Sequence, residues 1–270
     1  MPLQVLTQFN AFPLDAQKAF LAAVEVWSET LDSTVPVRIN AFFGTPLQGL
    51  NGLCIPNAVQ DTQFLARDTW YASALADKLR NKDLQEGQPD LEIHFAKDDW
   101  NLDLDLEPRS GQSDLMTVAL HELCHGLGFV TLFAEDATNT QGSCGNTALI
   151  QKALPGLPLT FKLPDFNSRP GLCDRQLQND QGQALTDTTL FANPSEALAT
   201  QLTSGAVFFE GPSQLHYKFY APKPFAFATS LMHFDPAEQP DSLMAPSVGK
   251  EETIHQPDEA SVNILKDLGW

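Results

Sequence analysis

The segment His121–Thr131, HELCHGLGFVT, constrains the fold more than any other stretch of this chain. It places two histidines four residues apart, a glutamate after the first, and glycines at 126 and 128. Successive side chains on a helix turn by about 100°, so with His121 at 0°, His125 falls near 40° and Gly128 near −20°. Met116, Leu120, Leu123 and Leu127 then fall between about 200° and 260°. That apolar stripe buries the helix against a core while both imidazoles look into a cleft. Glu122, near 100° on the same wheel, flanks the histidine face. Ser113 is placed to cap a helix that starts at Asp114, whose charge suits the helix dipole. The glycines end it near residues 126–128.

Two imidazoles on one face, with an acid beside them, suit metal-assisted hydrolysis. Zinc favours nitrogen ligands, and catalytic zinc sites keep three protein ligands. The ion acidifies a water and polarises a carbonyl, and Glu122 is placed to take the water's proton as general base. The segment supplies only two ligands, because the position where a related motif would put a third histidine holds Thr131. Four other histidines remain. His94 lies on an expected strand, His216 alternates along another, and His255 follows the charged stretch GKEETIHQP as exposed loop. His233 lies in SLMHFDPAEQPDSLMAPSVG, eleven positions before Met244 in the turn-like Ser242–Pro246. A glutamate-zincin arrangement with Glu196 of NPSEALATQL as third ligand is the competing assignment. An acid at a helix start is also favoured by the dipole alone.

The surrounding chain reads as α+β. A strand is expected over LQVLTQF (residues 3–9). The helix of Asp15–Leu31 has Phe20, Ala23, Val24, Trp27 and Leu31 at helical spacing. A second strand covers Val35–Phe43. A second amphipathic helix covers Asp61–Arg80 with Asp61 as cap, and a third strand covers Asp90–Ala96. Strands alternating with helices imply a sheet with helices packed on a face. From Val130 to about Asp187 the texture changes to proline, glycine, asparagine and glutamine. Short strands and a hairpin are expected at LTFKL (159–163) and DRQLQNDQGQAL (174–185). A short helix follows at Asn193–Leu202 with Pro194 at its first position, and a terminal helix starts near Pro257 and stops at Gly269. Two lobes are expected, 1–128 and 129–270, the second carrying an insertion at 130–232.

The net charge of −18 disfavours nucleic acid and anionic membranes as partners. No run of about 18 apolar residues is present to span a bilayer. The densest acidic stretch, Asp98–Glu107, lacks the spacing of a calcium loop, so the pattern gives calcium no support. The N-terminus lacks the basic and apolar regions of a signal peptide. Four cysteines fit an exported protein, and a secreted or extracytoplasmic location, with any leader removed, is the expectation. Cys144 and Cys173 lie in turn-like sequence and are expected to pair, leaving Cys54 with Cys124. Cys124, near 300° on the wheel, flanks the histidines on the side away from Glu122. A disulfide or core role suits it better than metal ligation.

HELCHGLGF, a long insertion, and then HFDPAEQPDSLMAP resembles the leishmanolysin branch of the metzincin zinc endopeptidases. Gly128-Phe129 is similar to that family's Gly-Phe step, and His233 stands 105 positions after Gly128. Ser242–Pro246 resembles its methionine turn, and the terminal LKDLGW its closing helix. The resemblance implies a two-lobed zincin fold and a protein or peptide substrate. It implies His121, His125 and His233 as zinc ligands, Glu122 as general base, Gly128 as the turn, and Met244 as a hydrophobic floor. It also implies that an edge strand binds the substrate in extended form. Leu91, Glu92, Ile93, His94 and Phe95 are the candidates for that strand, by peptide addition to a sheet edge. The chain is shorter than leishmanolysin, and with few cysteines its disulfide framework differs. A zincin fold used only for binding or adhesion is the reading from another class, and the intact Glu122 argues against it.

Overall fold

Strand β1 (Val5–Asn10) runs parallel to β2 (Val37–Thr45), and helix α1 (Leu14–Thr30) connects them. The chain continues through β3 (Gly52–Pro56), the two-residue strands β4 (Ala58–Val59) and β5 (Tyr71–Ala72), and α2 (Ser73–Arg80). Next come β6 (Leu91–Ala96), the two-residue β7 (Trp100–Asn101) and β8 (Ser113–Asp114), and α3 (Leu115–Gly126). The computed structural model describes residues 1–60, 65–154 and 159–270. They divide into one unit of residues 1–57, 72–128 and 247–270, and another of 58–71 and 129–246.

The sheet of the first unit has the order β1-β2-β6-β3. β1, β2 and β6 are parallel, whereas β3 runs antiparallel to β6. Alternation sends Val37, Ile39 and Ala41 of β2, and Leu91, Ile93 and Phe95 of β6, into the core. Helix α1 buries Ala16, Ala19, Phe20, Ala23, Val24 and Trp27, a helical stripe. Phe20 packs edge-on to Phe95 at 6.1 Å, and Phe12 at 5.7 Å. Helix α6 (Glu259–Leu268) belongs to this unit rather than following the chain into the second. The Trp270 indole holds it by donating to the Leu127 carbonyl at 2.6 Å.

Three expectations change here. β6 is an interior strand with partners on both sides, and the edge belongs to the unforeseen β3. Among the described residues of the helix expected over 61–80, only Ser73–Arg80 are helical. Trp70 is extended instead, because its N–H donates to Pro170 and its indole to Phe166, each at 2.9 Å. Its tertiary partners outweigh the local spacing. The proposed cap Asp61 lies outside the described residues. Finally, all four cysteines are free and buried, so neither expected disulfide forms. The Cys144 thiol donates to Asp174 Oδ2 at 3.5 Å instead. The secreted location therefore loses the support that disulfides would have given it.

The second unit contains a hairpin of β9 (Phe133–Glu135) and β10 (Gly142–Cys144), and α4 (Thr147–Ala153). A three-stranded antiparallel sheet follows, of β11 (Leu177–Asn179), β12 (Val207–Glu210) and β13 (His216–Phe219), with α5 (Glu196–Leu202) between its strands in sequence. The hairpin expected in DRQLQNDQGQAL closes with Asn179 N–H on the Gln183 carbonyl at 3.0 Å. Residues 159–163 are not a strand. α5 starts later than expected, because Ser195 pairs with Gly142 and caps the helix through Leu198 N–H. Phe129, Phe209, Phe219 and Phe234 are fully buried and form an aromatic core in this unit. No described helix is long and apolar enough to cross a membrane.

Candidate metal centre

All twelve residues of α3 are buried. Its cap is Asp114, one residue later than the sequence suggests. Asp114 Oδ1 accepts from Thr117 N at 2.8 Å and Thr117 Oγ1 at 2.7 Å. Oδ2 accepts from Asn101 Nδ2 at 3.0 Å, and His255 Nε2 lies 2.9 Å from Oδ1. Ser113 is not the cap because its hydroxyl is engaged by Asp98 and Asn51. His255, expected as exposed loop, is three-quarters covered and docked on this cap. Helix α3 ends where Gly128 takes φ +124°, a conformation that requires glycine.

The ring nitrogens His121 Nε2 and His125 Nε2 stand 3.2 Å apart, with the ring planes at 82°. Two nitrogens that each bind a tetrahedral zinc at about 2.0 Å are separated by about 3.3 Å, so the pair has the spacing of ligands. His233 is held by its neighbours in the second unit. Tyr220 N–H donates to its carbonyl at 2.8 Å, and its Nδ1–H donates to the Thr229 carbonyl at 2.8 Å. That bond selects the tautomer with a lone pair on Nε2, leaving that nitrogen to bind an ion. The next residue, Phe234, donates its N–H to the Met244 carbonyl at 2.9 Å. Met244 N–H in turn donates to Ser242 Oγ at 3.1 Å, and Met244 is fully buried. The methionine turn is thus tied to the main chain one residue after His233.

His121, His125 and His233 are all buried and form one group, their donor atoms within 4.8 Å of one another. Three imidazoles so close, with no anion among them, fit a zinc ion in type and number. No family model, curated protein or solved structure matches this chain.

Glu122 is 7% exposed. Burial pushes its carboxyl up to about 8, against the pull of the Cys54 backbone N–H. The same burial, followed by the charges of Glu122 and Glu92, raises the Cys54 thiol well above its ordinary value. Cys124 is a fully buried core residue.

The remaining candidates lie elsewhere. Leu91, Glu92, Ile93, His94 and Phe95 are each no more than 1% exposed on the interior strand β6, so they offer no edge to a peptide. His94 stacks on Phe42 at 4.7 Å and faces Glu92 at 3.4 Å. His216 is on β13, paired with Glu210 and stacked on Phe208. Glu196 is exposed in the first turn of α5 and is not part of the histidine group. Among the described residues, the acidic stretch 98–107 contributes no clustered donor set. Asp98 instead pairs with Lys250. The residue that sequence reasoning missed is Gly52, where an isolated glycine at a strand start signals close approach of another element.

Proposed function

We propose that the chain is a zinc-dependent endopeptidase of metzincin type. The observation that carries this reading is the group of His121, His125 and His233 with Glu122 on the same helix as two of them. A zinc ion held by the three imidazoles would supply Lewis acidity, lowering a water's pKa to about 7 and polarising the scissile carbonyl. The chain's own residues do the rest. Glu122 takes the proton of the attacking water and hands it to the leaving amine, so the peptide bond breaks with one water consumed. Thr229 keeps the His233 ring in its ligating tautomer, and buried Met244 backs the loop that carries it. β3 is the edge strand of the sheet, and its outward main-chain groups other than the Cys54 N–H support binding of an extended peptide by strand addition.

The test is cleavage of casein and of a mixed peptide library by zinc-loaded protein, with and without chelator, alongside Glu122→Gln. The expected result is chelator-sensitive internal cleavage that falls by about 10³-fold or more in Glu122→Gln, which still binds zinc. Absence of cleavage by zinc-loaded wild-type protein, or full activity in Glu122→Gln, would overturn the reading.

A further inference from the structure

We propose that strand β3 positions Glu122: Gly52 leaves the room its carboxylate occupies, and the Cys54 N–H fixes where that carboxylate points. This rests on the endopeptidase reading for the reaction Glu122 serves, but its geometry stands within the first unit alone.

Asn57 N–H donates to Asp90, and Ala96 N–H donates to Asn51. With the register Gly52↔Phe95 to Pro56↔Leu91, residues 51, 53, 55 and 57 turn their main-chain groups toward β6. Gly52, Cys54 and Pro56 turn theirs toward the free edge. Pro56 has no N–H, so the outward donors of β3 are those of Gly52 and Cys54. Of these two, the Cys54 N–H is the one that draws on the Glu122 carboxylate, opposing the effect of its burial.

Side-chain direction supplies an independent observation. Gly52 and Cys54 face the side of the sheet that carries α3. A Cβ on Gly52 would stand 2.7 Å from Glu122 Oε1, 2.7 Å from Val118 Cγ1 and 2.8 Å from Glu122 Cγ. Gly52 does not have a positive φ, so its backbone would accept any residue. The requirement for glycine is therefore one of space, and the space is filled by Glu122. One residue of β3 withholds a side chain, and the residue two along offers a donor. Together they define one position for the carboxylate, with its remaining lone pairs left for the proton. Gly52 and Cys54 are positioning residues and need not touch substrate to act.

Amide exchange on the metal-free full chain tests the geometry without reference to turnover. The Cys54 amide is expected to be protected, and Glu122→Ala to speed its exchange by about tenfold or more, while Leu53 and Ile55 are unchanged. Kinetics on the zinc-loaded chain test the consequence. Gly52→Ala is expected to lower kcat by about 10²-fold with KM and zinc affinity nearly unchanged, as a misplaced reacting group does. Adding Val118→Ala relieves only the contact with Val118 and should not restore kcat. Cys54→Pro deletes an outward N–H that an edge strand can spare and should lower kcat, whereas Cys54→Ala, which keeps the donor, should not. Unchanged Cys54 exchange in Glu122→Ala overturns the proposal, as does rescue of Gly52→Ala by Val118→Ala. Loss of Cys54 protection together with no cleavage by wild-type protein would uphold the positioning and sink the endopeptidase reading.

Discussion

The Trp27 indole donates to the Leu120 carbonyl over 3.1 Å and fastens α1 to α3 one residue before His121. Trp27 is 1% exposed and fills the layer between the two helices. Trp27→Phe deletes the donor and leaves a partial void, and the expected cost is about 2–4 kcal/mol. The check is urea unfolding, where the midpoint should fall with the slope unchanged. An unmoved midpoint would mean that α1 does not brace the helix.

Asp114 holds the other end of α3 through four donors from three segments: the N–H and hydroxyl of Thr117, Asn101 and His255. Asp114→Ala removes the cap and leaves the other donors without their acceptor, at an expected cost of about 2–4 kcal/mol. His255→Ala removes one partner at a partly exposed position and should cost about 1 kcal/mol. In a double-mutant cycle the two changes should cost less together than the sum of the singles. Strict additivity would show that His255 does not act through Asp114.

Stability should depend on pH through Asp77. Burial raises its carboxyl to about 7, with Asp90 and Asp83 adding to the rise and Leu84 N–H and Arg38 opposing it. Burial raises Asp90 as well. In the unfolded chain such a carboxyl titrates near 3.9, so between about pH 4 and 7 the folded state keeps a proton that the unfolded state has lost. The penalty from Asp77 is absent below about pH 4, grows as pH rises to about 7, and is constant above it. Asp77→Asn keeps an acceptor for Leu84 N–H, which lies at 3.0 Å. Between pH 4.5 and 8 the metal-free Asp77→Asn variant should lose about 1–2 kcal/mol less stability than wild type. Parallel stability curves would contradict this.

Legibility in the sequence followed the length scale of each interaction. Helix α1 was readable from residues 20 to 31, and α3 from 116 to 127, because helical spacing is local. The clustering of His233 with His121 and His125 was readable only through the methionine turn, since 104 residues lie between Gly128 and His233. Strand β3 escaped notice. Its five residues, GLCIP, do not alternate, and its place at the edge depends on a register with β6 that local pattern does not encode. The same holds for Trp70, whose partners Phe166 and Pro170 are about a hundred residues away. Cysteine pairing failed for a geometric reason. A disulfide needs two α-carbons within about 7 Å and suitably directed side chains, neither of which spacing along the chain reveals.

The three-histidine zinc site is tested most directly by zinc binding, measured by competition with a chromophoric chelator on wild type, His233→Ala and Glu196→Ala. Wild type and Glu196→Ala are expected to bind one zinc per chain, and His233→Ala to lose at least about 10²-fold in affinity, since a three-ligand site is reduced to two. Full zinc affinity in His233→Ala, with loss in Glu196→Ala, would contradict it.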